Sequence, residues 1–451
     1  MAYYISNVEI NLQMKKSILV LFSILVCSLA LSQNLYFPPI NNNLPWDTIS
    51  PQNLGWCSNK IDSLYEYLQQ ENSKAFIVLK DGKIVLEKYF GQFTKDSVWY
   101  WASAGKSLTS VLIGKAKEDG ILKLTDSTSK YLGPGWTAET RAEEGKISVW
   151  NQITMTSGLD DNVPDNHCTL DTCLRFLDNP GSRWAYHNAP YTLLEKVIES
   201  AAGMNINQYT QQKIKNQTGM TGAWFQTGYD NLFVSKARSM ARFGILVQNK
   251  GKWANTTVLA DTAYIRQMIN SSQQLNKAYG YLWWLNGKGS YMVPTLQTVF
   301  PGSYAPDASS DMYAAIGKNG QILSISPSTG IIFVRMGNST NAGEVPFQFC
   351  NQIWKRLNAV ICQTTGTSRF QQDKLEIQLF PNPAKDQLNV VFAKAKASVE
   401  INIKDVLGRK IRHEIICGTS GLIDIKGMKP GFYILEYSSE KGSGSIKFQK
   451  E

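Results

Sequence analysis

A serine and a lysine, Ser103 and Lys106, stand three residues apart in this chain of 451 residues. Positions i and i+3 lie on one face of an α-helix, so the amine of Lys106 can reach the hydroxyl of Ser103. A hydroxyl with a base beside it is a nucleophile suited to acyl transfer. The apolar pattern after Ser103 predicts a mostly buried helix, whose free N–H groups at its beginning would stabilise developing negative charge.

The spacing by itself is also typical of a helix cap followed by a solvated lysine. It recurs in two other pairs, Ser127 with Lys130 and Ser438 with Lys441. One of these pairs lies in a polar stretch and the other in a Gly/Ser-rich stretch. Only Ser103 precedes a buried helical pattern, so Ser103 is the candidate nucleophile.

Acyl transfer also needs a second group that moves protons, and the motif Tyr186-His187-Asn188 offers one. It follows a Gly- and Pro-containing loop and enters a helical pattern. A phenol near a cationic lysine can have a lowered pKa and act as acid or base, and the Asn188 amide can orient the lysine or the substrate. A packed loop tyrosine with a capping asparagine is the alternative. The similar stretch at 229–231 is set aside, because no comparable buried helix follows it.

The elements around these motifs predict an α+β domain over residues 33–362, with an antiparallel sheet flanked by helices and a mainly helical subdomain. Asp81-Gly82 lies between two strand-like runs of mainly apolar residues and indicates a β-hairpin. Residues 146–250 have a mainly helical pattern. Strand-like runs follow at 279–285, 312–316, 321–326 and 330–336, and an amphipathic helix at 347–361 ends the domain.

With these motifs in this order, residues 55–362 resemble the serine β-lactamase and penicillin-recognising superfamily, in its class C-like and esterase-like branch. The family's third motif is usually Lys-Thr-Gly or His-Thr-Gly on a strand, and this chain has neither. In its place stands Ile316-Gly317-Lys318, similar to the motif of the 6-aminohexanoate-dimer hydrolase branch. The resemblance implies that the backbone N–H groups of Lys318 and Ser103 form an oxyanion hole. The missing Lys-Thr-Gly moves the expected substrate away from β-lactams.

The leading hypothesis is a secreted serine hydrolase that cleaves a small ester or amide through an acyl-enzyme on Ser103. Lys106 would act as base, Tyr186 would pass the proton to the leaving group, and Asn188 and residues 316–318 would bind substrate or oxyanion. Neither a metal nor another cofactor is expected. One alternative is a DD-peptidase or β-lactamase on the same scaffold, and another is a catalytically silent cell-surface binding protein.

The beginning of the chain predicts export. Lys15 and Lys16 precede a short apolar run, and the small residues Ala30 and Ser32 stand at its end. These features together are typical of a secretory signal peptide at 1–32. Met14 is a plausible true start. No membrane-spanning segment is expected in the mature chain. The formal net charge of +10 is spread along the sequence, which argues against nucleic-acid binding. Six of the seven cysteines follow the signal, so up to three disulfides are possible, and Cys168 with Cys173 could close a local ring.

The end of the chain has a different texture. Residues 363–373 are rich in Thr, Ser, Gly and Gln and predict a linker, and short alternating runs over 374–451 predict a small all-β sandwich. The stretches Phe380-Pro381-Asn382-Pro383 and Met428-Lys429-Pro430-Gly431 are similar to those of the type IX secretion system sorting domain. The resemblance implies that the type IX machinery is a partner and that the protein is secreted or attached to the Gram-negative outer surface.

Overall fold

The computed structural model describes residues 35–339, 343–362, 377–392, 398–405, 409–439 and 442–451. The predicted signal peptide and linker lie outside these residues. The chain divides into two compact units between residues 363 and 364. Among the described residues, none of the helices has the length and apolar character needed to cross a bilayer.

The larger unit contains thirteen strands and eleven α-helices in the part of the chain that the structure describes. The strands are β1 Ser73–Lys80, β2 Lys83–Tyr89, β3 Trp99–Tyr100, β4 Ala223–Thr227, β5 Asp230–Ser235, β6 Lys252–Trp253, β7 Thr256–Thr257, β8 Trp284–Leu285, β9 Ser290–Tyr291, β10 Phe300–Pro301, β11 Tyr313–Gly317, β12 Gln321–Ser326 and β13 Ile331–Gly337. The helices are Ile61–Gln70, Lys106–Glu118, Ser129–Leu132, Arg141–Glu144, Val149–Ile153, Asn188–Ala202, Ile206–Thr210, Asn216–Thr218, Ala237–Gln248, Thr262–Met268 and Phe347–Ile361.

Six strands form one antiparallel sheet in the order β2-β1-β13-β12-β11-β8. Successive side chains on a strand point to opposite faces, so Leu323 and Ser324 of β12 identify what covers each face. Gly244 of the Ala237–Gln248 helix lies over Leu323. On the other face, the Trp354 indole of the Phe347–Ile361 helix donates to the Ser324 hydroxyl at 3.0 Å. The predicted α+β architecture, with a sheet between helices, is therefore confirmed.

The β1–β2 hairpin is also confirmed, with Asp81 and Gly82 both at positive φ in the turn. The mainly helical prediction for 146–250 is wrong in one place, since β4 and β5 form an antiparallel hairpin there and β3 joins its edge. Gly228, in the turn of that hairpin, was a signal for it. The predicted strand at 279–285 is shorter, because only Trp284–Leu285 pairs with β11 as a strand.

The smaller unit is an all-β structure with two sheets of three and four strands, in the orders β14-β15-β18 and β17-β16-β19-β20. The strands are β14 Ile377–Phe380, β15 Gln387–Phe392, β16 Ser398–Asp405, β17 Lys410–Cys417, β18 Ser420–Asp424, β19 Gly431–Ser439 and β20 Gly442–Lys450. Alternate side chains of β15 and β16 are buried in its core, as an antiparallel sheet with one covered face requires.

Two disulfides form in the larger unit, Cys57–Cys362 and Cys168–Cys173. Sequence analysis allowed three, but Cys350 is buried as a free thiol and Cys417 is an exposed free thiol on β17. The first disulfide joins the residue after the last helix to the segment before the first. The second closes the local ring that the sequence suggested.

We expect Cys57→Ser/Cys362→Ser to lower the free energy of unfolding of the larger unit by about 2–4 kcal/mol, measured by denaturant titration. The two cysteines are 305 residues apart in sequence. Their link therefore removes far more conformational entropy from the unfolded chain than one between residues five apart. The matched variant Cys168→Ser/Cys173→Ser should lose less, and an equal or larger loss there would contradict this account.

Candidate active site

Ser103 lies on a short 3₁₀ turn, Ala102–Gly105, that connects β3 to the Lys106–Glu118 helix. The turn begins sharply, because Ala102 has a φ of 46°, in the left-handed region that side-chain-bearing residues rarely occupy. The preceding residue, Trp101, anchors this bend in the core, since it is fully buried and its indole N–H donates to the Ser235 hydroxyl at 2.8 Å. The hydroxyl of Ser103 is thus presented on rigid backbone.

Lys106 is buried directly beside Ser103. Its ammonium nitrogen lies 2.9 Å from the Ser103 hydroxyl oxygen and donates to the Asn188 side-chain oxygen at 2.8 Å. The rings of Tyr191 and Tyr186 lie near it, with centroids 4.1 and 5.1 Å from Nζ. Removal from water lowers the pKa of Lys106 to about 8, although the carboxylates of Asp230 and Glu344 oppose the shift. An appreciable neutral fraction of this amine therefore exists near neutral pH.

Tyr186 is buried and stacks on Trp284, with ring centroids 5.6 Å apart and planes inclined by 21°. Burial raises its pKa well above the ordinary value, and a hydrogen bond with Ser103 offsets only part of that effect. The lowered pKa expected from the sequence is therefore wrong, because desolvation outweighs the hydrogen bond with Ser103. At neutral pH the phenol holds its proton and can donate it.

The aromatic segment at 279–284 supports this tyrosine. Tyr279 packs edge to face on Trp284 at 4.7 Å and on Tyr186 at 6.3 Å. All three rings are buried. These aromatic rings therefore belong to the core, where they fix Tyr186.

Asn188 is the first residue of the Asn188–Ala202 helix and is buried. Its side-chain oxygen faces Lys106, and its amide nitrogen donates to Asn166 at 3.0 Å and lies 3.2 Å from Nε2 of His167. The other ring nitrogen of His167, Nδ1, lies 2.8 Å from Asp230. Ser103, Lys106, Asn188, His167 and Asp230 thus form one continuous hydrogen-bonded chain.

The segment 316–318 ends β11 next to the serine turn. Ile316 is fully buried in the sheet, so its side chain belongs to the core. Gly317 makes the approach possible, because a Cβ at this position would lie 2.7 Å from the Trp101 carbonyl oxygen and 2.8 Å from the Ser103 nitrogen. The absence of a side chain here therefore lets the end of β11 approach the backbone of the serine turn. Lys318 follows at the rim of the cavity.

Two buried side chains hold the turn after Gly317 in place. The Arg335 guanidinium donates to the carbonyl oxygens of Asn319 at 2.7 Å and Gly320 at 3.0 Å. The amide of Gln321 donates to the Gly337 carbonyl at 2.6 Å and accepts from the Gly337 N–H at 3.1 Å. Neither residue was identified from sequence, because their partners are backbone groups brought together only by the sheet.

A cavity of about 380 Å³ opens above Ser103. Four predicted site residues line it, Ser103, Lys106, Asn188 and Lys318. Tyr186, Ile316 and Gly317 lie outside the set of lining residues. The cavity is completed by residues that sequence analysis missed: Tyr100, Ala102, His167, Tyr191, Asp230, Asn231, Leu232, Asn319 and Glu344.

Three of the missed residues, Asp230, Asn231 and Leu232, come from β5. Asp230 and Asn231 belong to the stretch that was set aside because no buried helix follows it, and the structure shows that a strand carries it instead. Asn231 donates to the Glu195 carboxyl at 2.5 Å. Burial raises the pKa of Glu195 to about 8, so this carboxyl is largely protonated at neutral pH and adds little negative charge near Lys106.

His187, inside the tyrosine motif, is buried and not on the surface. Neither ring nitrogen has a hydrogen-bond partner among the described residues. Burial lowers its pKa to about 4, so the ring is neutral at neutral pH. Within the described ranges, no three His, Cys, Asp or Glu side chains gather in a group able to hold a metal ion.

Comparison with solved structures identifies the fold of the larger unit. A protein from Bacillus anthracis assigned as a 6-aminohexanoate-dimer hydrolase aligns with a TM-score of 0.56 and 17% identity, over 72% of this chain and 89% of that one. A protein from Bacteroides dorei assigned as a beta-lactamase gives a TM-score of 0.54 and 18% identity, over 68% of this chain and all of the other. At these identities the likeness shows the shared fold.

Curated relatives match over shorter stretches. A protein of Bacillus subtilis assigned as penicillin-binding protein PbpX is 26% identical over 168 residues, which are 34% of this chain and 41% of the relative. Protein flp of Staphylococcus aureus is 24% identical over 194 residues, covering 38% of this chain and 39% of the relative. The chain thus spans about two fifths of the length of these relatives.

Two family models match the sequence. The secretion system C-terminal sorting domain matches residues 378–451, the strands of the smaller unit. The beta-lactamase model matches residues 61–348, which include the serine turn, the Tyr186 loop and β11. The chain therefore belongs to the beta-lactamase family and carries a secretion system C-terminal sorting domain.

Proposed function

We propose that this protein is a secreted serine hydrolase that cleaves an ester or amide through an acyl-enzyme on Ser103. The observation that carries the proposal is the contact of 2.9 Å between the Ser103 hydroxyl and a buried lysine whose pKa is lowered to about 8. A base poised near the working pH is what general-base activation of a hydroxyl requires.

In the first step, neutral Lys106 accepts the proton of Ser103 as the serine oxygen bonds to the substrate carbonyl carbon. The carbonyl electrons move to oxygen, and the Ser103 and Lys318 N–H groups donate to it. The Ser103 amide is suited to this because the first N–H groups of a helical turn have no acceptor within it. One such donor contributes about 3 kcal/mol to stabilising the oxyanion.

The intermediate then collapses and the bond to the leaving alcohol or amine breaks. Tyr186, protonated because it is buried, donates its proton to that leaving group while it regains one from the Lys106 ammonium. Water repeats the sequence on the acyl-enzyme, with the same groups removing and returning a proton, and releases the carboxylic acid. No step requires a bound metal or cofactor.

The cavity and the sorting domain narrow the setting of this reaction. A volume of about 380 Å³ suits a small acyl group or a short segment of a longer substrate. The missing Lys-Thr-Gly motif favours an ester or amide over a β-lactam. The sorting domain at 378–451, with the predicted signal peptide, supports export through the type IX system to the cell surface or beyond.

Ser103→Ala should abolish hydrolysis of short p-nitrophenyl esters, while the protein stays folded. The matched control is Ser127→Ala, which removes the serine of another Ser-x-x-Lys spacing and should leave kcat/KM unchanged. Labelling of the wild type by a fluorophosphonate and its loss in Ser103→Ala would identify the nucleophile. Activity surviving in Ser103→Ala would overturn the mechanism. Turnover of nitrocefin above that of the esters would favour a β-lactamase, and no labelling or turnover would favour a silent binding protein.

The kcat/KM of the wild type should rise with pH and reach half its maximum at about pH 8, because Lys106 acts only when neutral and burial sets its pKa near that value. Lys106→Met should lower kcat/KM by about 10²–10⁴-fold and remove this limb of the profile. Stopped assays on one ester from pH 5 to 10 measure both. A profile flat through pH 8 in the wild type would show that Lys106 is not the base.

Gly317→Ala should lower kcat by about 100-fold, because its new methyl group would meet the Trp101 carbonyl at 2.7 Å and push β11 away from the oxyanion position. The matched control is Gly105→Ala, two residues from the nucleophile, where an added Cβ meets nothing closer than 3.6 Å and should be tolerated. Steady-state kinetics with thermal unfolding of both variants separates a local displacement from a loss of fold. Equal effects of the two substitutions would contradict the role given to Gly317.

A further inference from the structure

We propose that His167, held by Asp230, is a positioning residue that orients the Asn188 amide and thereby aims the lone pair of Lys106 at the Ser103 hydroxyl. The inference rests on the function proposed above and adds to it two residues from outside the sequence motifs. It follows from which atoms can donate and which can accept along the chain of hydrogen bonds that ends at Ser103.

The orientation of Asn188 is dictated from one side by the lysine. Nζ of Lys106 lies 2.8 Å from the Asn188 side-chain oxygen, which accepts an N–H of the amine. The Asn188 NH₂ group must then face the opposite way, where it donates to Asn166 at 3.0 Å and meets Nε2 of His167 at 3.2 Å. Since an amide NH₂ group only donates, Nε2 must be the acceptor.

The tautomer of His167 follows. If Nε2 accepts, the single proton of the neutral ring is on Nδ1, and Nδ1 lies 2.8 Å from Oδ1 of Asp230, which accepts it. Each hydrogen bond between Asn188, His167 and Asp230 therefore pairs one donor with one acceptor. In neutral Lys106, one N–H is committed to Asn188, which leaves the lone pair free to point at Ser103, 2.9 Å away.

A donor at Nε2 would reverse this arrangement. An N–H at that position would face the Asn188 NH₂ group, and two donors repel. Rotation of the amide would relieve the clash but turn its NH₂ toward Lys106, whose lone pair would then accept from Asn188 instead of from Ser103. The acceptor at Nε2 therefore sets the amide orientation on which the Lys106 lone pair depends.

Other charges surround this ring and belong to the same balance. Asp165 lies on its own loop and accepts the His167 backbone N–H at 3.0 Å. Asp230 approaches the His167 ring from β5. His187 interacts electrostatically with His167, and Lys318 and Glu344 line the same cavity. Among these groups, Asp230 forms a hydrogen bond with the His167 ring. Variants of Asp230 therefore test the same positioning of the Asn188 amide.

The tautomer can be observed without any activity. The chain has three histidines, so ¹⁵N-histidine labelling of the full protein gives few signals, and loss of one set in His167→Gln assigns it. We expect the Nδ1–H tautomer for His167 at pH 8. An Nε2–H tautomer would overturn the proposal whatever the kinetics show.

Kinetics supply the second test. His167→Gln keeps a side-chain acceptor for the Asn188 amide, so it should lose far less kcat than His167→Phe. His167→Phe lacks the acceptor and should lose about 10–100-fold in kcat, with KM little changed, as should Asp230→Ala, whereas Asp230→Asn should retain most activity. His413→Gln, on the exposed face of the smaller unit, should behave as wild type.

Different results would overturn the hydrolase mechanism and the positioning role of His167. If Ser103→Ala or Lys106→Met remains active, the proposed hydrolase mechanism falls and with it the role of His167. If both are inactive but His167→Phe retains full kcat, or His167→Gln loses as much kcat as His167→Phe, the positioning role alone is overturned. Thermal unfolding of each variant shows whether the fold is intact.

Discussion

The contact of backbone against backbone between Gly317 and the Ser103 turn is the constraint on which the rest of the site depends. The end of β11 and the start of the serine turn approach so closely that no side chain fits between them. This contact joins the end of a strand of the central sheet to the turn that carries Ser103. Hydrogen bonds from the side chains of Arg335 and Gln321 to backbone carbonyl groups hold that strand end in place. The side chains that do chemistry are added to a geometry that backbone packing has already set.

Desolvation, more than charge pairing, sets the protonation states around this contact. Lys106, Tyr186 and Glu195 are all buried, and in each the neutral form is favoured. A neutral amine beside a neutral phenol provides one group that accepts a proton and one that donates it. Had Glu195 been ionised, its charge would have raised the pKa of the lysine and lowered the fraction of the amine that is neutral near neutral pH. The burial of one carboxyl thus helps to keep a nearby amine neutral.

The sequence predicted the fold and four of the residues that line the cavity, and the reasons for the rest are physical. Local patterns found Ser103 with Lys106 and the hairpin at Asp81-Gly82, because one turn of helix or a tight turn determines those contacts. Asn188 was found through the Tyr186-His187-Asn188 motif, although its contact with Lys106 spans 82 residues of sequence. His167 and Asp230 are 63 residues apart and meet only through the β4–β5 hairpin, which a helical interpretation of 146–250 concealed. The pKa of Tyr186 was given the wrong direction because burial by Trp284 is a tertiary effect. Ala102 carried no signal, since a left-handed alanine is forced by its surroundings.

The disulfide between Cys57 and Cys362 has a mechanical consequence for an exported protein. It ties the end of the Phe347–Ile361 helix to the segment that precedes Ile61–Gln70, two helices that pack on each other. Tension applied to the chain beyond Cys362, by transport machinery or by an anchor at the surface, reaches this covalent staple before it reaches the helix. Pulling on the tail would therefore load the segment at Cys57 together with the end of the last helix, instead of peeling that helix away alone.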